Sequence, residues 1–214
     1  MEAVDFLVAG SDTTAITLTF AVWHICHDPA IKRKLVAAFK EAALPLQQSD
    51  GDYPTLLDLE AIPYLVACVK ESLRVAMPVP GRLPRVVPHA GGGVEPLVVD
   101  DKVVPPGSVV GMGAYTMHNS EELWGPNARR FEPERWLGED AKGLDDNLVT
   151  FSKGARNCIG QTLAQAELLF VIFMLFRNFD IELDAVSEKG VKTRDQFTQS
   201  VQEPGLVLKM RRIV

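Results

Sequence analysis

Small and apolar positions recur at helical spacing from the start of the chain. Phe6, Leu7, Gly10, Thr14, Thr17, Leu18 and Ala21 share one face and predict a single helix over residues 2–27. Inside it, Ala9-Gly10-Ser11-Asp12-Thr13-Thr14 is poor helix chemistry. Two readings stay open: a helix with an exposed polar face, or one opened locally by Thr13 bonding the carbonyl of Ala9. Asp28-Pro29 is an N-cap followed by a first-turn proline, and it starts a second helix running to about Ala43. A polar loop is expected over 44–54 and one or two helical turns over 55–61. Pro63 opens a further helix over 63–76.

Residues 78–136 hold nine of the fourteen prolines, which argues against long helices there. Short β segments are expected at 85–87, 97–99, 102–104 and 109–110, with turns at Asp100-Asp101 and Pro106-Gly107. A helical turn fits 115–118, and 137–150 is a charged connector. From 160 to 178 the chain is apolar nearly all round, the pattern of a buried helix. β character returns at 181–183 and 206–210. The whole predicts a mainly α protein with small β-sheets, the α+β class.

Composition narrows the function. The net charge of −6 does not suggest a nucleic-acid-binding face. Cys26, Cys68 and Cys158 are widely spaced and form no zinc pattern or disulfide framework, so a reducing compartment is the simplest reading. Glu2 and Asp5 stand where a signal peptide needs basic residues, so none is expected. No uninterrupted apolar run reaches about 18 residues; the nearest approach is 163–176, broken by Gln165 and Glu167.

The densest chemistry lies in Phe151-Ser152-Lys153-Gly154-Ala155-Arg156-Asn157-Cys158-Ile159-Gly160. One reading makes Cys158 an ordinary buried cysteine. The other makes it a thiolate ligand of a haem iron. Gly154 would then let the loop turn under the sulfur. Gly160 would let the backbone pass close to a flat porphyrin. Arg156 would pair with a propionate, because guanidinium matches carboxylate as a two-pronged donor. Phe151 would shield the sulfur, and a helix beginning near Ile159 would favour the thiolate. Elsewhere, Glu71 and Arg74 share a helix face, a pattern that alone is often a surface ion pair of little value. His24, His27 and His89 show no metal spacing; His118 attracts attention as a ligand but fits a structural turn better.

The run F-x-x-G-x-R-x-C-x-G resembles the haem-ligand signature of the cytochrome P450 family. A-G-x-D-T-T at 9–14, ExxR at Glu71 and Arg74, and Pro133-Glu134-Arg135-Trp136 are similar to three more of its motifs, in the family's order. The resemblance spans the chain, 1–214, as a single domain that is the C-terminal half of the family fold. The distal oxygen-binding helix falls at 2–27, the ExxR helix at 63–76, the β and loop region at 78–136, the haem-ligand loop at 151–160 and the proximal helix at 160–178.

The resemblance implies heme b with Cys158 as axial iron ligand, and Arg156 and Arg85 on the propionates. A solvated strand arginine remains the other reading of Arg85. Asp12 and Thr13 match the acid–alcohol pair that relays protons to bound dioxygen. Glu71, Arg74 and Arg135 match a structural triad that holds the ligand loop. Residues 197–201 fall where the family turns a hairpin tip into the substrate pocket. The implied activity is monooxygenation of a small apolar organic substrate, with electrons from NADPH arriving through a flavoprotein reductase; cytochrome b5 is a second candidate donor. Arg129, Arg130, Lys153 and Arg156 would form the docking face. No homo-oligomer and no nucleic acid are implied. The full-length protein is expected at the endoplasmic reticulum membrane, cytosolic face, and the details look fungal. Two alternatives stay open: a truncated remnant that does not bind haem, and a haem-thiolate isomerase or dehydratase. With the preceding half missing, the undersides of helices 2–27 and 63–76 are expected to lie uncovered.

Overall fold

The computed structural model describes residues 2–43, 53–89 and 95–213. Most of the expected 44–54 loop lies outside them. Helix α1 spans Glu2–His27 without a break. Thr13 Oγ1 does donate to the Ala9 carbonyl at 2.8 Å, but the helical ladder does not open. Thr17 and Thr19 bond back four residues in the same way, to the carbonyls of Thr13 and Ala15. The hydroxyls are thus satisfied on the helix itself.

Asp28 caps α2 (Pro29–Ala42), accepting from Ala30 N–H at 2.8 Å. A Thr55–Asp58 capping box starts α3 (Leu56–Glu60). Pro63 opens α4 (Pro63–Ala76), which ends on Met77 in the left-handed region. The β region has the expected order with slightly shorter strands. β1 (Arg85–Val86) pairs antiparallel with β4 (Val109–Val110), and β2 (Val98–Val99) with β3 (Lys102–Val103). Asp100 and Asp101 both take positive φ, as a two-residue hairpin turn requires. Then come α5 (Ala114–His118), α6 (Glu121–Trp124), a 3-10 turn at Pro133–Trp136 and α7 (Leu144–Asn147). After the cysteine loop, α8 runs over Gln161–Asn178. β5 (Phe179–Leu183) pairs with β8 (Leu208–Arg212), while β6 (Thr193–Gln196) and β7 (Thr198–Val201) form a hairpin with Phe197 at its tip.

The core sits where α1, α2, α4 and α8 meet. Ala21, Ile25, Leu35, Phe39, Leu65, Ile172 and Phe173 are sealed there, with Phe39 edge-on to Phe173 at 5.0 Å. Each of the larger side chains among them contributes roughly 1.5–3 kcal/mol by leaving water.

Three expectations are corrected. Helix α4 is not uncovered: it packs against α1, α2, α8 and the Pro133–Trp136 turn, and most of its residues are buried. Of the two helices, α1 carries the exposure, with Phe6 61% and Leu7 68% exposed. Helix α8 is not buried throughout; its buried residues begin at Leu168, and Leu163 is 64% exposed. Among the described residues, the helix long and apolar enough to cross a membrane, by length and composition alone, is α1 over Val4–His27 and not the 163–176 stretch. Ile16, Ala21, Val22 and Ile25 in the second half of α1 are buried within the protein, whereas its first half lies exposed.

Candidate functional site

The site is built on a buried charge cluster. Arg74 is 1% exposed, so each N–H it carries needs an acceptor. All five have one. Nε and Nη2 donate to the two Glu71 oxygens at 2.9 and 2.8 Å, Nη2 also donates to Arg130 O, and Nη1 donates to the carbonyls of His118 and Ala128. Arg135 Nε reaches Glu71 Oε1 at 3.0 Å, and its other nitrogens donate to the carbonyls of Trp124 and Asn127 and to Glu132. Glu71 and Arg74 are therefore no surface pair. Burial pushes the Glu71 carboxyl up, but hydrogen bonding and charge from Arg74, with help from Arg135, win and hold it below the usual range.

Sequence reasoning placed Trp136 in its motif without a role. Its Nε1–H donates to Glu71 Oε2 at 2.9 Å. A buried indole N–H needs an acceptor, but no local pattern in the sequence reports that Trp136 lies beside this cluster.

The last carbonyls of α4 have no partner within the helix. Thr150 Oγ1 donates to Leu73 O at 2.8 Å, and His118 Nδ1 lies 2.9 Å from Arg74 O. Gln199 Nε2 donates to Ala76 O and Met77 O. One helix end thus anchors the cysteine loop, the α5 turn and the hairpin tip. Thr150 and Gln199 had no recognisable sequence signature. His118 serves this turn, and burial lowers its pKa to about 4 against the opposing hydrogen bond to Arg74 O.

The cysteine loop comes next in the chain. Cys158 N–H donates to Phe151 O at 2.8 Å. Gly154 adopts φ +74°, and no atom stands within 4 Å of where its Cβ would be, so the need for glycine is one of backbone angle and not of space. At Gly160 an added Cβ would meet only Cys158 Sγ, at 3.8 Å. α8 begins at Gln161, and its N-cap Gly160 supplies no side-chain acceptor to the first-turn N–H groups. Cys158 is exposed. Phe151 lies half-buried against the core, and its carbonyl holds the loop.

Cys158 opens onto a cleft of about 1520 Å³ with largely apolar walls. The first half of α1, including Asp12 and Thr13, lines it, as do Arg85, Met112, Ile159, Leu163, Phe197 and Thr198. The structure so brings together Cys158, Phe151, Gly160, Asp12, Thr13 and Arg85 from separate stretches of sequence. It does not bring Arg156 to the cleft: that side chain is exposed on the Gly154–Arg156 turn and does not line the cleft. The hairpin tip reaches the cleft, as expected of 197–201. Glu167 on α8 also lines it and was not anticipated.

Among the described residues no three His, Cys, Asp or Glu side chains cluster as a metal site. The donor set is one soft sulfur, which suits an iron that brings its own equatorial ligands. An apolar cleft with one arginine on its wall suits a flat, largely apolar macrocycle carrying carboxylates. The residues present fit a haem.

Comparison with known proteins agrees with this geometry. Residues 1–210 match the family model described as Cytochrome P450. The chain is 34% identical over 194 residues to the cytochrome P450 monooxygenase aneF of Aspergillus aculeatus, covering 91% of this chain and 37% of that protein. It is 35% identical over 210 residues to the monooxygenase penB of Penicillium thymicola, covering 98% and 44%. It is 37% identical over 196 residues to a protein of Claviceps fusiformis named an inactive cytochrome P450 monooxygenase, covering 92% and 36%. The chain thus spans less than half the length of each of these relatives. A family match across nearly the whole chain, joined to a single exposed thiol on the wall of an apolar cleft, leads to one conclusion: the chain belongs to the cytochrome P450 family.

Proposed function

We propose that the whole protein is a haem-thiolate monooxygenase and that this chain supplies its thiolate, its proton-handling helix and part of its substrate cleft. One observation carries the reading: Cys158 and the pair Asp12 and Thr13 line the same apolar cleft. A haem bound there would supply the oxygen chemistry, with the thiolate donating electron density that favours O–O cleavage. The reaction adds dioxygen, two electrons and two protons to a substrate C–H bond and gives C–OH and water.

The chain's own residues hold and move the protons. Thr13 Oγ1 commits its hydrogen to Ala9 O, so its lone pairs are what it offers the cleft. To donate, it must first release that bond. Asp12 is exposed and lines the cleft, so it can exchange protons with solvent and recharge the hydroxyl. Arg85 would hold a propionate at the cleft wall. Arg156, pointing elsewhere, joins Arg129, Arg130 and Lys153 as an exposed basic group for an acidic flavoprotein reductase.

A second reading has its own support. A relative named inactive matches as well as those named monooxygenases, so overall similarity does not separate the two. The reduced, carbon-monoxide-bound absorption spectrum of the chain reconstituted with haem, beside Cys158→Ser, tests the proposal. A Soret band strongly red-shifted in the parent and absent in C158S supports thiolate ligation. Haem uptake with an unshifted band in both overturns it. Turnover with a hydroperoxide but never with reductase and dioxygen would favour an isomerase or dehydratase.

A further inference from the structure

We propose that His118 is a positioning residue for Cys158, acting through two backbone contacts and touching neither the sulfur nor the cleft. Its imidazole is fully buried and spends both nitrogens. Val149 N–H donates to Nε2 at 2.9 Å. Nε2 must therefore carry the lone pair, which places the proton on Nδ1, where it donates to Arg74 O at 2.9 Å. The backbone of His118 is fixed as well, since its carbonyl accepts from Arg74 Nη1 at 2.8 Å. The ring is thus a rigid bridge from the charge cluster to residue 149.

The three residues beginning at Val149 give the bridge its purpose. Thr150 is tied to Leu73 O by its hydroxyl. Phe151 offers the carbonyl that accepts Cys158 N–H at 2.8 Å. Residues 149, 150 and 151 so form a continuous rail: two pins onto α4, then the bond that sets the cysteine. Ser152 at φ +63° and Gly154 at φ +74° turn the loop between its two ends. Such a loop keeps its shape only if its entry is held, because non-glycine residues in the left-handed region favour other conformations. Among the described residues no other side chain accepts from Val149 N–H. An imidazole suits the place because it donates at one edge and accepts at the other, at fixed separation, while remaining neutral.

The inference separates from the haem reading. It concerns the position of Cys158 in the chain itself and gains chemical meaning if that sulfur ligates iron. Amide hydrogen exchange at Val149 and Cys158, without haem, reads it directly, in the parent and in His118→Gln, His118→Asn and His118→Phe. Glutamine puts an amide oxygen where Nε2 stood and restores the acceptor for Val149. Asparagine places its amide at Nδ1 and restores only the contact to Arg74. Phenylalanine keeps the ring volume and neither bond. H118Q should keep both amides near parental protection. H118N and H118F should lose about tenfold at Val149 and at Cys158 together, with Ala21 and Ile25 in the core unchanged. In the reconstituted chain, H118Q should keep the red-shifted band and H118N should broaden or lose it. Equal rescue by asparagine, or loss at Val149 with Cys158 untouched, overturns the proposal. If the variants do not fold, the nitrogen shifts of His118 in the parent decide: a proton on Nδ1 supports it and a proton on Nε2 refutes it.

Discussion

The indole Nε1–H of Trp136 donates to Glu71 Oε2 at 2.9 Å, one of five hydrogen bonds converging on that buried carboxylate. The others come from Arg74, Arg135 and the Glu132 N–H. Trp136→Phe keeps most of the packing against Trp124 and removes one charge-assisted bond. It should cost about 1.5–3 kcal/mol. Glu71→Ala leaves the guanidinium of Arg74 buried without its counter-charge and should cost about 3–5 kcal/mol or prevent folding. Urea unfolding of the two variants checks both the size and the order.

Two histidines make the fold acid-sensitive. Burial lowers His24 and His118 from 6.5 to about 4, against the opposing charge of Glu71 in the first and the hydrogen bond to Arg74 O in the second. In the unfolded chain both return towards the ordinary value. Below pH about 6.5 the unfolded state takes up protons that the folded state refuses, so stability falls as pH falls, until the folded state protonates near 4. Above about 6.5 the difference vanishes. Unfolding at pH 5 should therefore absorb about two protons from this pair. His24→Phe, which can keep the stack on Phe131 at 4.6 Å, should reduce that uptake by about one. A stability profile flat between pH 6.5 and 4 would contradict the assignment.

Patterns with a strict period or a geometric requirement were legible in the sequence. The spans of α1, α2 and α4, the Asp28 cap, the Asp100-Asp101 turn and the Thr13-to-Ala9 bond come from local chemistry alone. The burial of Glu71 and Arg74 did not, because a pair three residues apart looks the same on a surface as in a core. What separates the cases is the set of carbonyls at 118, 128 and 130, which lie more than forty residues away. The exposed start of α8 was misread for a similar reason: apolar residues facing a cleft and apolar residues facing a core give one pattern. Arg156 and Arg85 differ only in where the chain carries them, and no local signal reports that.

Thr13 can be removed without harming the fold. Its hydroxyl bonds within its own helix, and alanine is the better helix former, so Thr13→Ala should change stability by no more than about 0.7 kcal/mol, in the stabilising direction. If the proposed proton role holds, the reconstituted whole protein should consume oxygen while forming less product per molecule consumed. Thr19→Ala, at a residue that does not line the cleft, removes an equivalent bond to the Ala15 carbonyl; it is the control and should leave that ratio unchanged.

Gln199 ties the hairpin tip to the end of α4, donating through Nε2 to Met77 O at 2.8 Å and to Ala76 O. A second tie, Gln199 N–H to Pro78 O at 2.8 Å, belongs to the backbone and survives substitution. Gln199→Ala should therefore loosen the tip without releasing it, at a cost of about 1 kcal/mol. Gln199→Glu should cost more, because an acceptor-only carboxylate would face helix-end carbonyls that already carry partial negative charge. Phe197 and Thr198 line the cleft beside this anchor, so both variants should raise amide exchange at the tip, glutamate more than alanine, while β5 and β8 stay protected. Equal behaviour of the two would mean that the side-chain bond to α4 does not hold the tip.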